Sequence, residues 1–396
     1  MEVVLINNDY PPFIFGGIGT FMHELAKGLL RKGIKVHVIT GYPEPINSLG
    51  SFGFKRSLED DIDVQRLPYP SIPPRHTVFQ LWNFKKIMKI IQNLDVDIIH
   101  GQSGCTYPAI MNLKLNAPVL VTFHGSPKMD KIAVVNSVLR GGSLKDFWTS
   151  FIGYPSYSFF YRKELQYSDV AVTVSKALKS ELISEMGEKY AEKIRYIYNG
   201  VDLPSLDREY EKVEPGVSDS EETILFAGRL FWRKGALNII KMAYLLQKNK
   251  TKFKIIVHGT GPLSDKMHHY IRSLRLNNIE LKGFTTKAQL IQSMRRCKFV
   301  AIPSTYEACP MILLESMCLG KIPLMLNLPF SSELTEGGKY GILGDGIESL
   351  TNRLITLQNT QSLSKLSHDI RGFARNVYDI DKVTTKYIET YDNLLS

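Results

Sequence analysis

The sequence predicts an α/β protein: two doubly wound parallel-sheet domains in series, facing a cleft. Three observations carry this. The chain has 396 residues, more than one ordinary core holds. Short β-branched apolar runs alternate with helical stretches along most of its length, the mark of a parallel sheet with helices on both faces. The alternation breaks once, at about 203–222, and then restarts.

The first domain, 1–203, opens on the strand "EVVLIN". The loop "YPPFIFGGIG" and the helical "TFMHELAKGLLRKG" follow, with Phe21, Leu25, Leu29 and Leu30 on one face and Gly33 as its stop. Further strands read "KVHVIT", "DVDIIHG", "APVLVTFHG", "SDVAVTVS" and "IRYIYNG". Residues 204–222 are polar and acidic, with two prolines in "LPSLDREYEKVEPGVSDSEE", and read as a linker. The second domain, 223–379, alternates again through "TILFAGR", "FKIIVHG", "IELKG", "FVAIPS" and "KIPLML". The last stretch, about 380–396, reads as an amphipathic helix that packs back on the first domain.

Composition narrows the function classes. The net charge is +10 and the pI is near 9.2, which favours anionic partners. The excess is spread evenly: 23 basic against 18 acidic residues in 1–200, and 26 against 21 in 201–396. No basic block reads as a nucleic-acid tail. Cys105, Cys297, Cys309 and Cys318 have no metal-ligand spacing and fit a reduced compartment. With no basic leader and no 18-residue apolar span, the expectation is a cytoplasmic protein, at most peripheral to a membrane.

Ligands of open α/β sheets bind beyond the carboxyl ends of the strands, so the loops there carry the candidates. Gly16, Gly17 and Gly19 follow the first strand and open a helix, a place where backbone approaches a ligand and an anion is favoured. A dinucleotide fingerprint fits poorly: its third glycine would fall at Met22, and "VHVITG" ends without an acid for a ribose. His124 ends the strand of "VTFHG"; an isolated histidine there is as readily structural as functional. In "FAGRLFWRKG", Arg229 offers a fork of donors and Lys234 a point charge, a pair suited to a diphosphate. Solvated loop charges are the plainer reading. Gly259 lies in a second Gly-rich turn, and Phe284 ends "LKGF", whose backbone groups could meet a base.

The stretch "TYEACPMILLESM" holds two glutamates in apolar surroundings. The expected helix runs from about Pro310 to Leu319 and is apolar nearly all round, hence buried. Glu307 precedes its N-terminus, while Glu315 lies ~7.5 Å along it from Pro310. Neither Ala308 nor Cys309 is a good N-cap, so first-turn N–H groups near Cys309 and Met311 are available to a ligand. A buried Glu315 needs a partner, either a ligand hydroxyl or a basic side chain.

With these residues in order, the chain resembles the retaining glycosyltransferases of the large group 1 (family 4) class, which have the GT-B fold of two Rossmann-like domains. The resemblance rests on "GGIG", "FHG", "VSKALKSEL", "YNGVD", "AGRLFWRKG", "GTGPL" and the E-x7-E of Glu307 and Glu315. It implies hexose transfer from a nucleotide-diphosphate sugar, the donor substrate, to an acceptor hydroxyl with retained configuration, and no separate cofactor or metal. Arg229 and Lys234 would hold the diphosphate, Gly17 and its neighbours would close over it, and Glu307 would contact sugar hydroxyls. Glu315 would hold the ribose, and His124 would line the sugar pocket. Where the family often has Gly-Phe-Gly after the first glutamate, this chain has Ala308-Cys309-Pro310. Asp61-Ile62-Asp63 and Asp95-Val96-Asp97 match the metal-binding DxD of other transferases only literally. A nucleotide-sugar epimerase and a non-catalytic nucleotide-sugar-binding protein are the competing readings.

The acceptor is expected to be a glycan, a lipid-linked sugar or a small molecule. Residues 126–165 carry eight aromatic residues, including Trp148, Tyr154 and Phe159, and six basic against three acidic ones. That surface suits peripheral contact with an anionic membrane, or packing against the first domain.

Overall fold

The computed structural model describes residues 1–14, 16–45, 54–72, 74–111, 117–129, 131–132, 135, 144–212, 220–357 and 362–396. It divides into two compact units. One comprises Met1–Ile132, Lys145–Gly200 and Ile380–Ser396; the other comprises Ala133–Leu144 and Val201–Asp379.

Among the described residues the first unit has eight strands: β1 (Glu2–Ile6), β2 (Lys35–Glu44), β3 (Lys55–Glu59), β4 (Ile62–Pro70), β5 (Ile98–Gln102), β6 (Val119–Phe123), β7 (Val170–Thr173) and β8 (Ile194–Tyr196). Their order is β3-β4-β2-β1-β5-β6-β7-β8. All pairs are parallel except β3 with β4. Central strands such as β1 are buried on both faces, which is why they read as unbroken apolar runs. The Gly17–Arg31 helix buries Phe21, Met22, Leu25 and Leu29, and Gly33 beyond it adopts φ 78°. The C-terminal Ile380–Leu395 helix belongs to this unit and buries Val383, Tyr387 and Tyr391.

Two features of this unit depart from the sequence reading. The β3–β4 hairpin was not anticipated; it turns at Asp60 and Asp61, both at positive φ, a conformation that Asp tolerates better than most residues. Asp63 is thereby spent on structure, accepting from Arg56 Nε at 2.7 Å and meeting His37 Nδ1 at 2.7 Å. Strand β2 also continues past "VHVITG" to Glu44, because its residues from His37 to Glu44 pair with β4. Asp97, of the second DxD match, lies at a strand start, where its Oδ2 accepts from the Glu2 amide at 2.7 Å.

The second unit carries β9 (Ser220–Ala227), β10 (Lys254–His258), β11 (Ile279–Gly283), β12 (Cys297–Ile302), β13 (Ile322–Leu326) and β14 (Ile342–Gly344). Their order is β11-β10-β9-β12-β13-β14, and every pair is parallel. Counted within the unit this is 3-2-1-4-5-6, the doubly wound order of nucleotide-binding sheets.

The linker reading of 204–222 needs correction. Leu203–Glu211 is a helix of the second unit. Asp202 caps it, accepting from the Ser205 amide at 3.1 Å, and Pro204 stands in its first turn. Its polar residues are engaged: Arg375 donates to Asp207 at 2.9 and 2.5 Å, and Arg295 donates to the Tyr210 carbonyl at 2.7 Å. Residues 213–219 lie outside the described residues.

Candidate functional site

In the second unit the strand order reverses between β9 and β12, so the loops after those strands flank the switch point where such sheets take ligands. The two loops are tied together. Thr305 N donates to the Arg233 carbonyl at 2.8 Å, and Asn238 Nδ2 donates to the Pro303 carbonyl at 3.0 Å. Gly235, at φ 75°, ends the turn through Trp232–Lys234, and a Cβ there would collide with the Pro303 carbonyl oxygen. Glycine is therefore what lets the first loop approach the second.

That approach brings Lys234 and Glu307 into contact. Lys234 Nζ donates to Glu307 Oε1 at 2.6 Å, with the glutamate side chain only 9% exposed and the lysine 31%. Arg229 is exposed, and its side chain has no hydrogen bond or ion pair among the described residues. Gly259 follows β10 at φ 134°, where a Cβ would strike the Gly228 carbonyl oxygen, and its amide donates to the Gly283 carbonyl at 2.7 Å. Phe284, just after Gly283, is 81% exposed.

The Met311–Cys318 helix begins one residue later than expected, because Pro310 takes the extended conformation of an N-cap. Among the described residues no side chain caps it. Cys309 and Met311 are buried, as is Glu315. Lys287 pairs with Glu315, reaching in from the first turn of the Lys287–Arg295 helix. So the basic partner that a buried Glu315 needed is present in the chain. Sequence reasoning missed Lys287, which no local pattern links to a residue 28 positions on. It also missed His258, held by Thr285 Oγ1 at 2.5 Å and Ser293 Oγ at 2.7 Å, whose protonation burial disfavours.

The first unit holds the remaining candidates. Its strand order reverses between β1 and β5. Gly19 is required by the fold, since a Cβ there would lie 2.7 Å from Asp9 Cγ. Gly16 is extended (φ −171°), and among the described residues nothing lies within 4 Å of its Cβ position and no side chain caps the helix that Gly17 begins. His124, just after β6, meets Gln102 Oε1 through Nε2 at 2.6 Å and stands edge-on to Phe21 at 5.7 Å. Burial, helped by the nearby His76, pushes its pKa down to about 3, so the imidazole is neutral. Glu164, unremarked in the sequence, is fully buried and accepts from the amides of Gly104 at 2.7 Å and Thr106 at 2.8 Å. Burial outweighs those amides and raises its pKa to about 8.

Most of the aromatic excursion is a single helix, Leu144–Tyr167. Phe160 and Tyr161 are buried, whereas Phe159 and Tyr167 are exposed with Lys163 Nζ over both rings at 5.8 and 5.2 Å. Trp148 is in the helix, but its side chain lies outside what the structure describes. Among the described residues no helix is long and apolar enough to cross a membrane.

Residues 15–204 match the family Glycosyltransferase Family 4, and residues 207–377 match Glycosyl transferases group 1. An uncharacterized glycosyltransferase of Methanocaldococcus jannaschii is 28% identical over 340 residues, 81% of this chain and 79% of its own. The alpha-monoglucosyldiacylglycerol synthase of Streptococcus pneumoniae is 21% identical over 402 residues, 96% of this chain and 85% of its own. Among solved structures, sucrose-phosphate synthase from Thermosynechococcus elongatus superposes with a TM-score of 0.78 at 14% identity, covering 99% of this chain and 98% of that one. Anabaena HepE in complex with UDP and glucose gives 0.72 at 19% identity, covering 99% of each. The fold is GT-B, and the chain belongs to the group 1 (family 4) glycosyltransferases.

Proposed function

We propose that the protein moves a hexose from a nucleoside-diphosphate sugar to an acceptor hydroxyl, with retention of anomeric configuration and without a metal or other cofactor. The carrying observation is the Lys234–Glu307 contact at the switch point of a nucleotide-type sheet, with the exposed Arg229 on the same loop as Lys234. Arg229 and Lys234 hold the diphosphate and offset the charge that builds on it as the sugar leaves. The acceptor oxygen forms the new bond to the anomeric carbon on the face the diphosphate vacates, and its proton passes to the departing phosphate oxygen. No protein nucleophile is used; positioning and electrostatics do the work. Glu307 and the amides near Cys309 and Met311 receive sugar hydroxyls, Glu315 the ribose, Gly259 and Phe284 the base side, and His124 the sugar pocket. Gly16, Gly17 and Gly19 close over the diphosphate. The UDP and glucose named with Anabaena HepE are of the chemistry this reading needs.

Incubation with a panel of nucleotide sugars tests the proposal. Nucleotide release that depends on an acceptor glycan, lipid-linked sugar or small alcohol supports transfer. Interconversion of donors would make the protein an epimerase, and binding without turnover a sugar-nucleotide-binding protein. A thermal-shift screen of nucleoside diphosphates finds the base, since specific binding raises the melting temperature.

The site of action proposed is the cytoplasm, in peripheral contact with an anionic membrane. Lys163 between the exposed Phe159 and Tyr167 supports that contact, as such amphipathic surfaces meet headgroups. Co-flotation with anionic liposomes at low salt, lost at high salt, is the expected result. Absence of flotation at low salt refutes it.

A further inference from the structure

His124 ends a chain of buried hydrogen bonds in the first unit. Gln102, fully buried at the end of β5, places Oε1 2.6 Å from His124 Nε2 and Nε2 3.5 Å from His100 Nε2. His100 in turn meets Thr122 Oγ1 at 2.8 Å and the Tyr391 hydroxyl at 2.7 Å, and Thr122 Oγ1 meets the Tyr387 hydroxyl at 3.2 Å. All five of these residues are 0% exposed, so water does not compete for their polar atoms.

The directions of these bonds can be assigned. A neutral imidazole has one N–H and one lone pair, and an amide oxygen only accepts. A separation of 2.6 Å suits N–H···O and is too short for N–H···N, so the amide oxygen, not its NH2, faces His124. Gln102 then turns its NH2 toward His100 Nε2 at 3.5 Å, while the single lone pair of that nitrogen takes the Thr122 hydroxyl at 2.8 Å. The remaining proton of His100, on Nδ1, goes to Tyr391. Every partner is consistent with this one arrangement. The Nδ1 of His124 is left with a lone pair and no donor among the described residues.

We infer that Gln102 is a positioning residue: it fixes His124 as the Nε2–H tautomer and so presents Nδ1 as an acceptor for a hydroxyl of the transferred sugar. The second half rests on the proposed function, in which His124 lines the sugar pocket. Because burial keeps the ring neutral, the acceptor is present throughout the physiological pH range. The same logic explains an amide at position 102. A carboxylate there would favour the charged ring, and a lysine would turn the ring over.

The test uses the full-length chain labelled with 15N-histidine. Two-bond 1H–15N correlations separate the two tautomers, and the His124 signal is the one lost in His124→Gln. The expected wild-type pattern is Nε2–H, unchanged between about pH 6 and 8. Gln102→Leu removes the acceptor. It is expected to give mixed tautomers and to lower kcat/KM for the sugar donor roughly 10- to 100-fold, the cost of a misaligned or unpaired hydrogen bond. Gln102→Glu keeps an acceptor at the same atom, so Nε2 stays protonated; because its charge favours the charged ring, the neutral Nε2–H signal and part of the activity should return only toward the alkaline end of that pH range. An Nδ1–H pattern in the wild-type protein overturns the inference, and so does Gln102→Leu with both tautomer and kcat/KM unchanged. The expected tautomer without turnover of any nucleotide sugar would overturn the sugar-binding half together with the proposed function, and leave the Gln102 bond standing.

Discussion

Lys234 and Glu307 each answer a need of the other. The glutamate is 9% exposed and would carry an unpaired buried charge without the ammonium 2.6 Å away. Lys234→Ala therefore acts twice. It should lower donor turnover by at least ~10²-fold through loss of charge stabilisation at the diphosphate. It should also cost about 1–3 kcal/mol of stability, because Glu307 loses its partner. Pairing it with Glu307→Gln separates the effects: in the double variant, urea denaturation should show most of the stability regained, while assays show turnover still lost. Near-normal turnover in Lys234→Ala would refute the diphosphate role. Which residues could be read in advance follows from where their partners lie. Arg229 and Lys234 stand at a strand's carboxyl end, a position sequence alone reveals. Glu315 was legible as a buried carboxylate needing a partner, but Lys287 was not, because the contact crosses from one helix to another and leaves no mark in either local pattern.

Elements were legible where one face is apolar and obscured where polar residues find distant partners. Leu203–Glu211 read as linker because its acids and prolines look like loop composition, yet only Leu203 and Leu206 are needed to seat it. Its start signal, Asp202 followed by Pro204, was present and outweighed by that composition. Asp202→Ala should cost about 1 kcal/mol in urea denaturation, the usual worth of an N-cap. No loss at all would mean that the cap does not hold the helix. Similarly, the β3–β4 hairpin hid its turn in two aspartates at positive φ rather than in Asn-Gly or Asp-Gly. At the first strand–helix loop of the second unit the constraint is steric. Gly235→Ala must accept both φ 75° and a collision with the Pro303 carbonyl oxygen. It should destabilise the protein by more than ~2 kcal/mol and reduce nucleotide binding with it, because the same turn carries Lys234.

Along the whole molecule the chain builds most of one unit, then the other, and returns to the first with Ile380–Ser396. The alternation of apolar strands and amphipathic helices made both sheets legible; the polar interior of the first unit was not, since His100, Gln102 and Glu164 lie far apart in sequence. That interior gives the protein a pH signature. Burial lowers the pKa of His76 to about 4 and of His100 and His124 to about 3, and raises that of Glu164 to about 8. Below about pH 6.5 the unfolded chain takes up histidine protons that the folded one refuses, so stability falls as pH drops through that range. Glu164 has the opposite sign. The folded chain holds its proton where the unfolded one has lost it, so its contribution is full below about pH 4.5 and is lost as pH rises toward 8, by up to about 1.4 kcal/mol per pH unit. The melting temperature of the wild-type protein should therefore peak at about pH 6–7, where the two slopes meet. Glu164→Gln cannot titrate and still offers an amide oxygen to one of the Gly104 and Thr106 backbone N–H groups; it should flatten the limb above about pH 6.5 and steepen the acid limb between about pH 4.5 and 6.5, where Glu164 works against the histidines. Scanning calorimetry across pH reads both limbs. A wild-type melting temperature that stays level from pH 6.5 to 8 would mean that Glu164 is already ionised in the folded protein, its three backbone N–H groups having outweighed burial.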